Sequence, residues 1–300
     1  MGKNHRTEKV AILTDTGSSI SPIEGARMGI WVLPLQIIEG LTSYSDLVDI
    51  KTDQIYRKIN KEIELKTSMP SYGKIHNTLM EIKALDYDKV ICIPLTPGIS
   101  STADSIRSAA EEINLPVLFV DTYTTCQIQN IAVHEAMKMV EQGLEAEEIV
   151  DKIQHQIEKS CSFVLAKDIN HLKRGGRLTP LAASMANMLK IVPLLIMGPT
   201  TEGKIDVLTK VRTERKAMKV LVEEAIQFTK DGQYEFIVLH SDYQEGADEL
   251  KEALINHGML KENIKIEEFN SVIAVHVGMQ CLAIQCIKKL EIEDEENGNN

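Results

Sequence analysis

Short apolar runs separated by polar, glycine-bearing turns recur along this chain. The first, residues 10–13, stops at Thr14-Asp15-Thr16-Gly17-Ser18-Ser19. A β-rich run ending in such a turn predicts a strand followed by a loop. Similar runs stand at 31–38, 90–95 and 117–121, and helical stretches at 74–85 and 103–113 separate the later ones. Strands alternating with helices predict a mainly parallel sheet. Two helices follow, 128–141 and 145–159, broken at Gly143; in the second, Ile149, Val150, Ile153 and Ile157 form one apolar stripe.

A second block begins near Cys161. Residues 163–166 predict a strand, followed by His171-Leu172-Lys173-Arg174-Gly175-Gly176-Arg177. Thr179 is suited to cap a helix with Pro180 in its first turn. That helix, 181–190, is apolar or small almost all round, so it should be covered on more than one side. Strands are predicted at 191–197 and 204–208, a helix at 212–230, a strand at 235–240, a helix at 245–257, and strands at 264–268 and 272–276. The economical reading is α/β: two α/β domains, 1–160 and 161–290, the first with a mainly parallel, Rossmann-like sheet. Residues 291–300, acidic and then polar, have nothing to bury and are predicted to be a disordered tail.

Composition narrows the function classes. The 300 residues are 43% hydrophobic and 26% charged, as in ordinary soluble proteins, with a net charge of −11. That charge argues against nucleic acid, which needs a concentrated Lys/Arg surface, and against docking on an anionic bilayer. No apolar run approaches a membrane span, and MGKNHRTEK lacks a signal-peptide hydrophobic region, so no stable membrane insertion and a cytoplasmic location are expected. The five cysteines are scattered without a CxxC pair, and read as small buried hydrophobes. The eight histidines lack metal-ligand spacing, so no metal is expected.

Several motifs tempt and fail. Asp15-Thr16-Gly17-Ser18 spells an aspartic-protease turn, but that chemistry needs two carboxylates sharing a proton, and the chain holds one copy. No GxGxxG or GxxxxGK[ST] cradles nucleotide phosphates, so no cofactor is expected. Gly98-Ile99-Ser100-Ser101-Thr102 misses GxSxG at its fifth residue. What remains are hydroxyl clusters at predicted strand ends: Thr14/Thr16/Ser18/Ser19, Thr67-Ser68, Thr96, Ser100-Ser101-Thr102 and Thr122/Thr124/Thr125. In an open parallel α/β sheet, ligands bind beyond the carboxyl ends of the strands. Hydroxyls and helix N-terminal amides there suit a small anion such as a carboxylate. The alternative is that they cap helices and close turns, and the pattern leaves both open.

Ile12-Leu13-Thr14-Asp15-Thr16, Lys66-Thr67-Ser68-Met69-Pro70, residues 93–102, residues 172–178, Lys210-Val211-Arg212 and residues 276–280 resemble, in that order, blocks of the DegV family of bacterial fatty-acid-binding proteins. Ile12-Leu13-Thr14-Asp15-Thr16 is similar to the family's first strand and TDS/TDT turn, and Lys66-Thr67-Ser68-Met69-Pro70 to its TSQP block. Residues 93–102 are similar to its serine-rich ISSGLSGT block, Leu172-Lys173-Arg174-Gly175-Gly176-Arg177-Leu178 to LKKGGRI, Lys210-Val211-Arg212 to KVR, and His276-Val277-Gly278-Met279-Gln280 to HxGPG. The resemblance spans residues 10–287. It implies a ligand pocket between the two domains that holds a long-chain fatty acid. On that reading the carboxylate meets Thr67 and Ser68, a further hydroxyl from Thr96 or Ser100, and His276. Family members present the carboxylate to a separate fatty acid kinase, which phosphorylates it to an acyl phosphate, so the chain itself would contribute no catalytic residue. Arg177 is a candidate contact to an acidic partner or phosphate, the alternative being a structural salt bridge. Pro97, Ser101 and Met279-Gln280 depart from the family pattern. Two other readings compete: an enzyme acting on a small carboxylated or phosphorylated metabolite in the same cleft, and a lipid sensor.

Overall fold

The computed structural model describes residues 8–186, 188 and 191–290. The predicted tail 291–300, the opening residues 1–7, and residues 187, 189 and 190 of the predicted helix 181–190 lie outside the described residues. The N-terminal half carries strands β1 (Val10–Asp15), β2 (Ile30–Leu33), β3 (Gln36–Glu39), β4 (Thr42–Ser45), β5 (Leu65–Ser68), β6 (Lys89–Ile93) and β7 (Val117–Phe119). The C-terminal half carries β8 (Ser160–Leu165), β9 (Val192–Met197), β10 (Asp206–Val211), β11 (Tyr234–His240), β12 (Ile264–Glu268) and β13 (Leu282–Lys288). The fold is α/β with two domains, as the sequence pattern predicts.

The first sheet, ordered β2-β1-β6-β7, is parallel throughout. Alternation in β1 sorts its faces. Ala11 and Leu13 meet helices Tyr72–Ala84 and Thr102–Glu112 through Ile75, Leu79, Ile82, Ile106 and Ala109. Val10 and Ile12 point the other way, into a cluster with helices Gln127–Glu141 and Ala146–Ile157. Burial on both faces is what a parallel sheet requires.

The six-stranded sheet, ordered β10-β9-β8-β13-β11-β12, is antiparallel except where β11 meets β12. On one face Phe163, Leu165, Ile284 and Cys286 pack against helices Glu214–Phe228 and Gln244–Asn256. On the other, Leu195, Ile237, Leu239, Ala283 and Ile287 join the cluster of Val10 and Ile12. Helices Gln127–Glu141 and Ala146–Ile157 therefore form a layer between the two sheets, and the stripe Ile149, Ile153 and Ile157 is fully buried in it. Each such side chain contributes about 1.5–3 kcal/mol. All five cysteines are buried and unpaired, as read from the sequence. Among the described residues no helix is long and apolar enough to cross a membrane.

Two predicted strands come out differently. Residues 31–38 are split, because Pro34 has no N–H for a ladder; β2 stays in the parallel sheet, and β3 opens a separate antiparallel sheet ordered β4-β3-β5. Residues 272–276 lie within a helix, Ser271–Val277, despite three β-branched residues in the run. The Asn270 side chain caps it by accepting from the N–H of Ile273, and its Nδ2 donates to the carbonyls of Thr16 and Gly17. Tertiary contacts override a weak propensity. The helix packs on helix Thr52–Asn60 and on β5.

One buried group beside that helix is under strain. The Asp46 carboxylate is fully buried, and neither oxygen has a hydrogen-bond partner. The hydroxyls of Thr16 and Ser271 approach it and partly offset its burial without closing a bond. Burial, with the nearby Asp15 charge adding to it, pushes its pKa up to about 6. The folded state thus holds a proton that the unfolded chain releases near pH 4, so stability falls as pH rises from about 4 to 6. Asp46→Asn is expected to be more stable than the parent at pH 8 by about 1–3 kcal/mol, and to lose that advantage at pH 4. Urea midpoints at the two pH values test this; a gap that does not depend on pH would sink it.

Candidate functional site

The site is assembled from four segments. β5 ends in Thr67 and Ser68, held by pairing Ile37 with Thr67 and Gln36 with Ser68. The loop after β6 carries Thr96 to Ser101 and runs into helix Thr102–Glu112. Helix Ile169–Arg174, capped by Asp168, ends at Gly175-Gly176 and delivers Arg177. Gly176 sits at φ +74°, a conformation that favours glycine. Helix Ser271–Val277 brings in His276.

His276 Nε2 lies 2.6 Å from Thr67 Oγ1, joining residues 209 positions apart. Its Nδ1 is buried without a partner. Burial first, then the nearby Arg177 guanidinium, lowers its pKa to about 3, so the ring is neutral. The tautomer matters. With the proton on Nε2, the ring donates to Thr67 and leaves the threonine hydroxyl hydrogen for a ligand; the opposite tautomer turns lone pairs outward. An anion at Thr67 selects the first. His171 is fixed beside it, with Nε2 against the carbonyl of Val275 at 2.8 Å and Nδ1 accepting from Arg174 Nη2 at 3.3 Å.

Arg177 is half-buried, and its Nη1 donates to the carbonyl of Gly175 at 2.6 Å. Among the described residues it has no ion pair with a carboxylate, so no structural salt bridge of that kind forms there. Thr67, Ser68, Ser100 and Arg177 border two joined spaces. The outer one, about 710 Å³, has Arg177 and Lys204 as its ionisable lining and no acid. The inner one, about 40 Å³, is walled by Leu35, Leu95, Ile99, Val272 and Ile273, with His276 at its side. That is little more than the volume of one water molecule, roughly 30 Å³. An acyl chain passing Thr67 must push these side chains apart.

Ser101 also borders the outer space, and most of the other hydroxyls are spent on turns. Thr96 is fully buried and accepts from the N–H of Gly98 at 3.2 Å, and it does not border either space. Of the two residues offered for the third hydroxyl, Ser100 is the one at the mouth. There it also accepts from the N–H of Thr102 at 3.2 Å. Thr14, Ser18, Thr122, Thr124 and Thr125 donate to backbone carbonyls. Asp15 of the protease-like turn is buried and accepts from the N–H groups of Gly17 and Leu95 and from Gln129 Nε2 at 2.9–3.1 Å. Burial pushes its pKa up to about 6. It organises the end of β1 and is closed to substrate. Among the described residues no group of three or more His, Cys, Asp or Glu is placed to hold a metal ion. Lys204 is the mouth residue that sequence reasoning missed, since its place follows from how the turn before β10 packs.

A family model described as uncharacterised protein, DegV family, matches residues 9–289. The chain belongs to the DegV family. A DegV domain-containing protein of Streptococcus pneumoniae is 33% identical over 278 residues, 92% of this chain and 98% of that protein. Among solved structures, a fatty acid binding DegV family protein from Streptococcus agalactiae is 35% identical, with a TM-score of 0.86 over 94% of this chain and 99% of that one. DegV from Bacillus subtilis, described as a fatty acid binding protein, is 26% identical with a TM-score of 0.79 over 94% and 100% of the two chains. The DegV blocks read from the sequence, Lys66–Pro70, 93–102, 172–178 and 276–280, supply most of the residues around the mouth; Thr179, Pro180 and Lys204 of the outer space and Leu35, Val272 and Ile273 of the inner one lie outside them.

Proposed function

We propose that this chain binds a long-chain fatty acid, with the carboxylate at the mouth and the acyl chain in the apolar compartment behind Thr67. The observation that carries this reading is the mouth itself. Hydroxyls of Thr67, Ser68 and Ser100, the neutral His276 ring and an Arg177 without a carboxylate partner surround an opening onto an apolar floor. Neutral and cationic donors favour an anion, and the floor favours one with a tail. The description of the Streptococcus agalactiae relative as fatty acid binding supports it. Thr96 serves as a support for the turn. Each buried methylene contributes about 0.8 kcal/mol, so a dozen contribute on the order of 10 kcal/mol before ordering costs. The acyl chain supplies the affinity and the polar groups supply the orientation.

The outer space is the face offered to a separate fatty acid kinase, where Arg177 and Lys204 suit an anionic phosphoryl donor. On this reading the chain works in the cytoplasm without a cofactor or catalytic residue, and its two domains meet near residue 160. Solvent extraction and native mass spectrometry of the purified protein are expected to yield about one fatty acid per chain. Given ATP, magnesium and fatty acid, the chain alone is expected to make no acyl phosphate, and to support its formation once a matching kinase is added. An empty protein that also refuses oleate and palmitate overturns the binding assignment. Binding without phosphorylation by any matched kinase overturns the carrier reading in favour of a sensor.

A further inference from the structure

At the edge of the mouth the two halves of the chain meet backbone to backbone. Gly98, in the loop after β6, faces Gly203, in the turn before β10. A Cβ on Gly98 would lie 2.4 Å from the carbonyl carbon and oxygen of Gly203, and 2.7 Å from the carbonyl oxygen of Glu202. A Cβ on Gly203, whose φ is +70°, would lie 1.9 Å from Thr96 Oγ1 and 2.9 Å from Thr96 Cβ. Any side chain there drives the halves apart.

Both partners in the contact are held firmly. Thr96 is buried, its N–H donates to the carbonyl of Thr124 at 3.1 Å, and its hydroxyl oxygen accepts from the N–H of Gly98. In the facing turn the N–H of Gly203 donates to the carbonyl of Gly198 at 3.1 Å, and Thr201 Oγ1 bonds both polar backbone groups of Gly198. Neither loop can yield without losing bonds.

The contact is mechanically connected to both sides of the anion site. Ser100 follows Gly98 by two residues. On the other side Ile205, two residues after Gly203, bridges to Leu178; the N–H of Thr179 donates to the carbonyl of Ile205 at 3.0 Å, and Thr179 Oγ1 donates to Asp206 Oδ1 at 2.6 Å. Leu178 directly follows Arg177. A displacement at Gly203 is thus passed to Arg177 through a short hydrogen-bonded ladder.

We propose that the Gly98–Gly203 contact is a positioning joint that sets the separation of Ser100 and Arg177, so that an anion is gripped from both halves at once. It rests on the fatty-acid reading and concerns how the head group is held. The joint acts chiefly on the charged head: of the apolar wall behind Thr67 only Ile99 adjoins Gly98, while Leu35, Val272 and Ile273 lie on other segments. Gly98→Ala is therefore expected to weaken binding of palmitate by about tenfold or more, and binding of 1-hexadecanol, which has the same tail and no charge, by less than about twofold.

The experiment is a titration of the full chain with both ligands, for the parent and the variant. If Gly98→Ala does not fold, Gly203→Ala loads the same joint from the other side and is read in the same way. Equal loss for acid and alcohol would mean a general structural defect, and no loss for either would mean the loops give way freely; both outcomes overturn the joint. A parent that binds neither ligand would instead overturn the fatty-acid reading itself.

Discussion

Gln285→Leu is expected to cost about 3–5 kcal/mol of stability, although Gln285 lies away from the mouth. Gln285 sits on β13, between Ile284 and Cys286, and points into the helix layer between the sheets. Its Oε1 accepts from the N–H groups of Gln127 and Ile128 at 3.0 and 3.2 Å. Its Nε2 donates to the carbonyl of Thr125 and to Ser162 Oγ at 2.9 and 2.8 Å. A side chain from the other domain thus satisfies the start of helix Gln127–Glu141. That start has no cap of its own, because the Cys126 side chain makes no cap bond. A leucine of similar size leaves two N–H groups and a carbonyl without partners, each a loss of about 1–3 kcal/mol when buried. Gln285→Glu keeps the accepting oxygens but not the donor, so it is expected to fall between. Urea midpoints at unchanged slope are the measurement, and a parental midpoint for Gln285→Leu would show that the clamp contributes little.

The second large effect is on binding. Gly175 ends helix Ile169–Arg174 at φ −62°, which any residue adopts, so an alanine there strains no backbone. Its Cβ would nevertheless lie 2.6 Å from His276 Nδ1. The ring must turn away from Thr67, and the donor set loses its neutral imidazole. Gly175→Ala is expected to lower fatty-acid affinity by about 10- to 100-fold, the equivalent of one or more bonds to a charged group, with little change in melting temperature. His276→Ala should reproduce the affinity loss. If both variants bind palmitate as the parent does, the carboxylate does not sit beside His276.

The parts of this protein that could be read from its sequence are those decided locally. β1, β6, β8, β9 and β11 announce themselves as apolar runs, and Ile149, Ile153 and Ile157 mark a helix by spacing alone. Residues 272–276 misled because β-branched residues favour strands in isolation, whereas the decisive groups, Asn270 and the carbonyls of Thr16 and Gly17, come together only in the fold. β13 escaped notice because Gln285 interrupts its alternation with a polar residue whose partners are distant in sequence. The same limit governs the site. Thr67, Ser100, Arg177 and His276 stand in blocks that resemble a known family, but hydroxyl clusters alone could not separate Ser100 at the mouth from Thr96, which a buried turn consumes. Lys204 and the Gly98–Gly203 approach carry no local signal.

The place of β13 has a consequence for how the chain is made. β8 and β11 are not neighbours; the last strand of the described chain slips between them, at the centre of the six-stranded sheet. A nascent polypeptide that has not yet released residues 282–288 from the ribosome holds two half-sheets with a gap between them, and helix Gln127–Glu141 still waits for Gln285. The parallel sheet at the front can pair its strands early, since domains tend to fold as they emerge. The remainder must stay open until residues 282–288 have emerged, with the edges of β8 and β11 unpaired and prone to wrong partners. Chains that stop before residue 282 should for this reason be substrates for chaperones and proteases rather than weakened binders.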